Sequence, residues 1–312
     1  MTTSEFGQDV SQGLGAPEKF LSSRYFYDQR GDSLFRAIMA TPEYYLTDAE
    51  HEILSTQGGA IVEQFLPGAE IIELGAGDGT KSKVLLAEHL QRGKFCYSPI
   101  DISGNSLDRL SGRMKKWLPG LEIRPITGEY MEALNQLPGA RQQRVFMFMG
   151  ANIGNFTPPR AEEFLAAIRG YMSVEDRLLI GFDLKKDPNT ILAAYNDASG
   201  HTRAFNLNLL ERINRELGGD FDLEQFEHYP CYDPQSGACK SYLVSGRAQS
   251  VFIKQLDERF EFIAGECILM EIAQKYSPAG LQELARQSGF CVQAGFTDTH
   301  GYFIDQFWQP QP

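Results

Sequence analysis

Cysteine is sparse in this chain of 312 residues, and its arrangement suits neither cross-linking nor metal binding. The five cysteines are odd in number, lie far apart and include no C-x-x-C pair. The five histidines form no H-x-H or H-E-x-x-H motif. We therefore predict neither a disulfide framework nor a metal site.

Long apolar runs and an excess of basic charge are also missing. No stretch approaches the roughly 20 apolar residues of a membrane-spanning helix, and residues 1–19 lack the basic start and apolar core of a secretory signal. Because 29 Lys and Arg face 41 Asp and Glu, the net charge of −12 opposes binding to nucleic acid and to anionic membranes. We expect a cytoplasmic monomer whose partner is a small molecule.

The sequence does contain ample material for a folded core. It is 42% hydrophobic and 12% aromatic, and its length corresponds to about two domains at roughly 150 residues each. From residue 70 to 184 short apolar runs alternate with helical patterns, which predicts an α/β fold with a doubly wound parallel sheet. The strands are predicted at 71–74, 94–100, 122–127, 143–149 and 177–184, and the helices at 80–91, 103–117, 131–137 and 159–172.

The end of the chain carries a different pattern. A helix at 278–288 is followed by apolar runs at 290–296 and 302–308, which the turn 298–301 joins into a hairpin. The hairpin makes the last strand antiparallel. A Rossmann-like sheet that ends in an antiparallel strand is typical of methyltransferases, whereas a dinucleotide-binding sheet has no reason to end that way.

Between residues 185 and 275 the strand-helix alternation stops. Helices at about 189–195 and 203–217 are followed by a meander of strands near 226–232, 240–245, 249–253 and 260–262. We interpret this region as an inserted α+β substrate-binding domain, joined by an N-terminal segment with helical patterns at 34–40 and 48–65. The predicted boundaries are 56–185 and 276–312 for the cofactor-binding domain, and 1–55 and 186–275 for the substrate-binding domain.

A glycine-rich loop lies where such a sheet binds its ligand. Glu73, Gly75, Gly77 and Gly79 form an E-x-G-x-G-x-G pattern between an apolar strand and a helix. Glycines let the backbone approach a ligand, and the helix N-terminus attracts a carboxylate or phosphate. Asp101, at the end of the next strand, is placed to accept hydrogen bonds from ribose hydroxyls. By itself the loop fits NAD, S-adenosylmethionine or a tight turn without a ligand.

Two further features favour S-adenosylmethionine as the cofactor. The third glycine comes one position earlier than in G-x-G-x-x-G. The third strand is followed by Gly128-Glu129-Tyr130, where the acid can hold an adenine amino group and the ring can stack on the base. Glu129 could alternatively complement the dipole of the next helix. Together with the terminal hairpin, these features predict an S-adenosylmethionine site.

The most specific motif follows the fourth strand. Where a DNA or RNA amino-methyltransferase would have [DN]-P-P-[YFW], this chain has Gly150-Ala151-Asn152-Ile153-Gly154-Asn155-Phe156. This run resembles the G-x-x-I-G-N-[FL] signature of the histidine-specific Nα-methyltransferases of ergothioneine biosynthesis. Further matches to that family, from about residue 24 to 308, are Tyr27-Asp28, Gly31, Leu34-Phe35, Pro42-Glu43-Tyr44-Tyr45, Thr47 with Glu50, Ala194-Tyr195-Asn196-Asp197, Phe205-Asn206-Leu207-Asn208, Asn214-Arg215-Glu216-Leu217, Asp220-Phe221 and Met270-Glu271-Ile272.

The resemblance implies roles in substrate binding for residues at the matching positions. It implies that Tyr27, Tyr44 and Asn155 hold the amino group that is methylated. Tyr195 would hold the substrate carboxylate, and Glu271 would bind the imidazole ring. The remaining positions of the expected substrate site are Phe35, Gly150, Ala273 and Ser241.

The resemblance also extends to the cofactor and to the reaction. Lys81 matches a family lysine near the methionine carboxylate, and Asp101 matches the ribose-binding acid. The expected cofactor-binding residues are Glu73, Gly75, Gly77, Gly79, Lys81, Asp101, Glu129 and Tyr130. The implied activity is S-adenosylmethionine-dependent Nα-trimethylation of a free amino acid, with L-histidine converted to hercynine.

The chain departs from the family in the pocket for the substrate side chain. The usual T-E-[IV]-S motif ends here in Ala273, and a methionine common in the preceding strand is replaced by Ser241. Loss of the serine hydroxyl removes one imidazole contact, and an unpaired polar group in a pocket costs about 1–3 kcal/mol. Two alternatives therefore stay open, namely Nα-methylation of another aromatic or basic amino acid such as tryptophan, and a non-catalytic S-adenosylmethionine-binding role.

Overall fold

The computed structural model describes residues 4–139 and 142–312. The chain divides into two compact units, which we call unit 1 (Met1–Tyr45 with Lys186–Ala273) and unit 2 (Leu46–Lys185 with Gln274–Pro312). None of the helices in the described ranges is both long enough and apolar enough to span a bilayer.

Helices and strands are numbered in chain order. The helices are α1 (Glu5–Gly15), α2 (Gln29–Met39), α3 (Tyr45–Glu63), α4 (Thr80–Arg92), α5 (Gly104–Trp117), α6 (Tyr130–Leu134), α7 (Pro158–Arg169), α8 (Pro188–Ala194), α9 (His201–Leu217) and α10 (Pro278–Gln287). The strands are β1 (Glu70–Leu74), β2 (Cys96–Asp101), β3 (Glu122–Ile123), β4 (Ile126–Thr127), β5 (Arg144–Phe148), β6 (Arg177–Asp183), β7 (Phe226–Tyr232), β8 (Ala238–Ser245), β9 (Gln249–Ile253), β10 (Glu258–Phe262), β11 (Cys267–Gln274), β12 (Phe290–Thr297) and β13 (Phe303–Pro310).

Unit 2 is built on one eight-stranded sheet. Its order is β12-β13-β6-β5-β1-β2-β3, with β4 also paired to β2. The strands β6, β5, β1, β2, β3 and β4 pair in parallel, whereas β13 runs antiparallel to both β6 and β12. The predicted Rossmann-like sheet with an antiparallel last strand is thereby confirmed.

Two hydrophobic clusters cover the two faces of this sheet. The helices α3, α4 and α5 pack on one face, around side chains such as Ile71 and Met147. The helices α6, α7 and α10 pack on the other face, around side chains such as Ile72 and Phe146. Successive strand residues point to opposite faces, which is why the central strands are apolar throughout.

The third predicted strand is interrupted. The sequence predicts a single strand over 122–127, but the structure has β3 and β4 separated by Arg124 and Pro125. Arg124 N–H donates to the carbonyl of Tyr97 on β2. Pro125 has no N–H to continue the ladder, so the strand breaks at that residue.

The boundaries of the units differ from the predicted ones. The first lies between Tyr45 and Leu46 rather than between residues 55 and 56, because α3 is continuous and buries Ile53 and Leu54 in the core of unit 2. The last crossing lies at Gln274 rather than at residue 276. Lys275, which the prediction assigns to the substrate-binding domain, forms an ion pair with Asp183 of β6 at 2.8 Å and so belongs with the sheet of unit 2.

Unit 1 packs helices against two small sheets. One sheet has the order β11-β8-β7, and the other is the hairpin of β9 and β10. Helix α9 is buried over much of its length and shares a hydrophobic core with side chains from α1, α2 and all five of these strands. The sequence predicts one meander, whereas the structure separates its strands into two sheets, one of which also contains β11.

Helix α1 is an element that the sequence interpretation overlooks. Residues 1–19 read as polar and rich in glycine, yet Phe6, Val10 and Leu14 recur every four residues and are buried on one face of α1. Ser4 caps the helix, because its side chain accepts a hydrogen bond from Gly7 N–H at 3.2 Å.

Candidate functional site

The glycine loop lies at the carboxyl end of β1, where the sheet changes its direction of winding. The strand order places β2 on one side of β1 and β5 on the other. In open α/β sheets, ligands bind outside the carboxyl ends of the strands at such a switch point. The predicted loop is therefore at the position where the fold places a ligand.

The backbone of this loop requires glycine. Gly75, Gly77 and Gly79 have φ values of 70°, 54° and 76°, a region that L-residues with side chains rarely adopt. A Cβ atom on Gly75 would lie 2.9 Å from the hydroxyl of Tyr130, and one on Gly79 would collide with Leu110. A Cβ atom on Gly77, in contrast, would have no neighbour within 4 Å. The loop thus presents open backbone at its tip and closely packed backbone at both ends.

The chemistry around the loop fits S-adenosylmethionine. Helix α4 begins directly after the loop, and its N-cap is Gly79, which has no side chain to cover the helix N-terminus. Lys81, in the first turn of α4, adds a cation suited to a carboxylate. Asp101 is the last residue of β2, and one of its oxygens accepts a hydrogen bond from Ser103 N–H at 2.9 Å. This donor and acceptor set matches the carboxylate and the ribose diol of that cofactor.

Glu73 faces away from the open side of the loop. It is 3% exposed and accepts hydrogen bonds from the hydroxyl of Ser82, at 2.6 and 2.7 Å, and from the hydroxyl of Tyr97. Burial raises its pKa to about 7, although these hydrogen bonds oppose the shift. Glu73 therefore ties β1 to α4 and β2 beneath the loop, and its predicted cofactor role would act through the loop backbone.

Glu129 and Tyr130 occupy different environments. Glu129 is exposed and precedes α6 without capping it through its side chain. The Tyr130 ring packs against Phe148 and Phe164, with ring centroids 5.8 and 5.6 Å away. Burial, together with the charges of Asp101 and Glu129, raises the pKa of Tyr130 above its ordinary value. The predicted stacking of Tyr130 on adenine stays a prediction.

A buried glutamate links Lys81 to the turn that follows β5. Glu50 of α3 is fully buried, and one of its oxygens forms an ion pair with the Lys81 ammonium. The other oxygen accepts a hydrogen bond from Gly150 N–H at 2.7 Å. The sequence analysis identifies Glu50 only through the family resemblance. Its position on the apolar side of α3, with Ile53 and Leu54, would by itself have indicated a buried charge.

The motif after β5 forms a tight turn. Gly150 and Ala151 both have positive φ, at 76° and 56°, and a 3₁₀ turn follows over Asn152–Asn155. Ile153 is buried in the core, whereas Asn155 is exposed. Because the residue that precedes α7 is Thr157, Asn155 does not serve as the cap of that helix. Its side chain is accessible for the predicted contact with an amine.

In unit 1 the predicted aromatic residues form one cluster. The ring of Phe35 lies 5.6 Å from that of Tyr27 and 6.2 Å from that of Tyr44, both in edge-on arrangements. Phe205 of α9 is a fourth member, with its ring 5.7 Å from Tyr27 and 5.8 Å from Phe35. Tyr27 is 48% exposed. The sequence motifs include Phe205 but assign it no role.

Asp28 holds Tyr27 in place. Its carboxylate caps α2 through Gly31 N–H at 2.7 Å and accepts further hydrogen bonds from Asn208, at 2.9 Å, and Arg215, at 2.6 Å. Burial opposes ionisation, but these hydrogen bonds keep the pKa of Asp28 below its usual range. The acid of the Tyr27-Asp28 match is thus structural, and the tyrosine beside it projects from a fixed backbone.

The remaining predicted substrate residues lie directly after α8 and on the three-stranded sheet. Tyr195 follows α8 and is largely buried, and Asp197 two residues later accepts hydrogen bonds from the backbone that starts α9. Glu271 and Ala273 are two residues apart on β11, so their side chains point to the same side of that strand. Ser241 of β8 is 1% exposed, and its hydroxyl lacks a hydrogen-bond partner among the residues the structure describes.

One further cluster outside these sites has metal-ligand types. Single ligand atoms of Glu52, Asp298 and His300 lie within 4.8 Å of one another. The carboxylates of Glu52 and Asp298 already accept hydrogen bonds from the backbone N–H groups of the turn between β12 and β13. The cluster therefore acts as the scaffold of that turn.

The sheet order, the antiparallel last strand and the glycine loop at the switch point define a Rossmann-like methyltransferase that uses S-adenosylmethionine. Residues 6–310 match the sequence model of a family described as histidine-specific methyltransferase, SAM-dependent, and the chain belongs to this family.

Curated relatives cover most of the chain. The histidine N-alpha-methyltransferase of Mycolicibacterium smegmatis is 36% identical over 302 residues, which are 95% of this chain and 92% of that protein. The protein of the same name from Mycobacterium tuberculosis is 35% identical, with 95% and 92% covered. Ergothioneine biosynthesis protein 1 of Schizosaccharomyces pombe is 28% identical, over 89% of this chain and 37% of that protein.

Proposed function

We propose that this protein transfers methyl groups from S-adenosylmethionine to the α-amino nitrogen of L-histidine and forms hercynine. The observation that carries the proposal is the extent of the family match, which runs through unit 1 as well as unit 2. A glycine loop and its sheet are common to many methyltransferases, whereas unit 1 holds the residues expected to select the substrate.

In unit 2 we assign the cofactor contacts to the residues around the glycine loop. S-adenosylmethionine supplies a methyl group activated by a positively charged sulfur. The N-terminus of α4 and the Lys81 ammonium would bind its carboxylate, Asp101 its ribose hydroxyls and Glu129 its adenine amino group. The exposed amide of Asn155 would accept or donate a hydrogen bond at the substrate amine.

In unit 1 we assign the amino acid contacts to the aromatic cluster and to β11. Tyr27 and Tyr44 would hold the amine in its neutral form, because an ammonium has no lone pair for methyl transfer. A tyrosine oxygen accepts from an N–H, and a tyrosine ring also tolerates a methylated cation. Tyr195 would bind the carboxylate, and Glu271 would accept a hydrogen bond from the imidazole N–H.

A second candidate substrate class is favoured by the pocket residues themselves. Ala273 offers no hydroxyl, and the hydroxyl of Ser241 is buried without a partner in the described structure. A pocket changed in this way could select another aromatic or basic amino acid, such as tryptophan. The cytoplasmic location and the monomeric state stay predictions.

Calorimetric titration tests the substrate directly. Each amino acid is titrated into the protein in the presence of S-adenosylhomocysteine, and mass spectrometry then follows turnover with S-adenosylmethionine. We expect histidine to bind and to gain one, two and finally three methyl groups. Turnover of a different amino acid would replace histidine as the proposed substrate. Binding of S-adenosylhomocysteine without turnover of any amino acid would make the protein a non-catalytic homologue.

Glu271→Gln separates the substrate site from the cofactor site. Because it removes the charge that faces the imidazole, we expect histidine affinity to fall about 10- to 100-fold while the affinity for S-adenosylhomocysteine stays within about twofold. Glu261→Gln, on the exposed face of β10, is the matched control. Equal losses for both ligands in Glu271→Gln would remove Glu271 from the substrate site.

A further inference from the structure

A buried cluster of carboxyl groups adjoins the cofactor loop of unit 2. Glu50, Glu73 and Asp305 are each at most 3% exposed. Asp305 has no part in the proposed function, and neither of its oxygens accepts a hydrogen bond from a donor group of the described residues. Since buried polar groups are almost always paired, the state of Asp305 needs a physical explanation.

Asp305 and Glu50 meet where a glycine leaves room for both. Asp305 of β13 pairs in register with Gly181 of β6. A Cβ atom added to Gly181 would lie 3.0 Å from Asp305 Oδ1 and 3.0 Å from Glu50 Oε1. A side chain at this position would press on both carboxyl groups and on the ring of Phe303, which lies at the same distance.

The other surroundings of Asp305 are apolar. Phe303 and Phe307 share its face of β13, and Phe296 lies opposite it on β12. The charged groups that act on it are Glu50 from α3 and Lys81 from α4. Burial and the charge of Glu50 raise the pKa of Asp305 well above its ordinary value, and Lys81 opposes that shift only in part.

Among the described residues, Lys81 forms an ion pair with Glu50 and none with Asp305. Its ammonium pairs with one oxygen of Glu50, and the other oxygen of Glu50 accepts the Gly150 N–H. A second ionised carboxyl group beside Glu50 would be buried without a cation of its own, which costs several kcal/mol. A proton shared between the two carboxyl groups avoids that cost.

We propose that Asp305 is a positioning residue of the cofactor site, which keeps its proton at neutral pH and donates it in a hydrogen bond to Glu50. Glu50 then carries a single negative charge and holds two groups in place, the Lys81 ammonium and the Gly150 amide. This role rests on the proposed place of Lys81 at the cofactor carboxylate. It predicts that what Asp305 must supply is a hydrogen-bond donor rather than a charge.

Two substitutions distinguish a donor from a charge. Asp305→Asn keeps the shape and a donor group, so we expect affinity for S-adenosylhomocysteine within about twofold of the wild type at pH 7. Asp305→Leu keeps the branched shape, in a larger volume, but has no donor, so we expect affinity to fall about tenfold as Glu50 and Lys81 shift. Asp108→Asn, on the exposed side of α5, is the control for a carboxyl-to-amide change elsewhere in unit 2. Loss of affinity in Asp305→Asn equal to that in Asp305→Leu would overturn the proposal.

Infrared difference spectroscopy tests the proton itself and does not depend on the cofactor. Glu73→Gln serves as the background, because Glu73 is itself protonated in part near neutral pH. We expect a protonated-carboxyl band at pH 7 that disappears when Asp305→Asn is added. Absence of such a band would show that Asp305 is ionised and would refute the proposal even if Asp305→Leu failed to fold. A band without binding of S-adenosylhomocysteine would support the carboxyl pair and count instead against the proposed cofactor contacts.

Discussion

Several residues of the family motifs act on the backbone. Asp28 caps α2, Asp197 caps the start of α9, and Asn214 makes paired hydrogen bonds of 2.8 and 2.9 Å with the backbone of Phe221. The proposed substrate contacts fall instead on aromatic side chains of the same motifs, such as Tyr27. A motif residue that looks chemical in the sequence can therefore be structural, and its neighbour can be the functional one.

Gly31 is another residue of the family motifs whose role is structural. A Cβ atom at this position would overlap the backbone carbonyl oxygen of Phe26, which cannot rotate away as a side chain could. We expect Gly31→Ala to lower the free energy of unfolding of unit 1 by about 2–4 kcal/mol. Gly15→Ala at the end of α1, where an added Cβ has no neighbour within 4 Å, should change it by less than about 0.5 kcal/mol. Urea denaturation of both variants makes the comparison, and equal effects would contradict the close approach at Gly31.

At the scale of elements, the hairpin of β12 and β13 depends on one buried carboxylate. Asp298 accepts hydrogen bonds from the N–H groups of His300, Tyr302 and Phe303, at 3.0, 2.8 and 2.7 Å. This turn directs β13 back between β12 and β6, which is the step that distinguishes the sheet from an all-parallel one.

Removal of that carboxylate should loosen the hairpin. In Asp298→Ala three N–H groups, one buried and two partly buried, lose their acceptor, so we expect unit 2 to lose about 2–3 kcal/mol of stability and the amide protons of β12 and β13 to exchange faster. Asp298→Asn keeps one acceptor oxygen for Tyr302 and Phe303 and should lose less than half as much. Chemical denaturation and hydrogen exchange measure both effects, and similar losses in the two variants would argue against the role of the retained oxygen.

At the scale of the whole molecule, buried acids make stability depend on pH. A carboxyl group whose pKa is raised on folding stabilises the fold at acid pH, and that contribution is lost as the pH rises through the folded-state value. Glu73, with its pKa raised from 4.5 to about 7, has this sign, and Asp305 shares it.

Glu73→Gln should reduce this dependence. Between pH 5 and pH 8 we expect the wild type to lose about 2–3 kcal/mol more stability than the variant, which corresponds to a pKa raised from 4.5 to about 7. Urea denaturation at the two pH values measures the difference. Glu88→Gln, exposed on α4, is the control and should follow the wild type. Parallel behaviour of the wild type and Glu73→Gln would mean that Glu73 is ionised throughout this range.

The sequence by itself determined the features that depend on neighbouring residues. The alternation of strands and helices, the glycine loop and the terminal hairpin all arise from local periodicity and turn residues, and the structure has each of them. Family motifs also pointed to Tyr27, Phe35 and Tyr44, which the structure brings into one aromatic cluster.

Only the tertiary structure decided the features that depend on distant residues. The meeting of Glu50 with Lys81, Gly150 and Asp305 joins four parts of the chain, and no local pattern encodes which strand register or helix face brings them together. The same holds for the separation of the meander into two sheets and for the boundary at the start of α3. Local periodicity specifies which residues are buried, whereas the packing of complete elements specifies which buried residues touch.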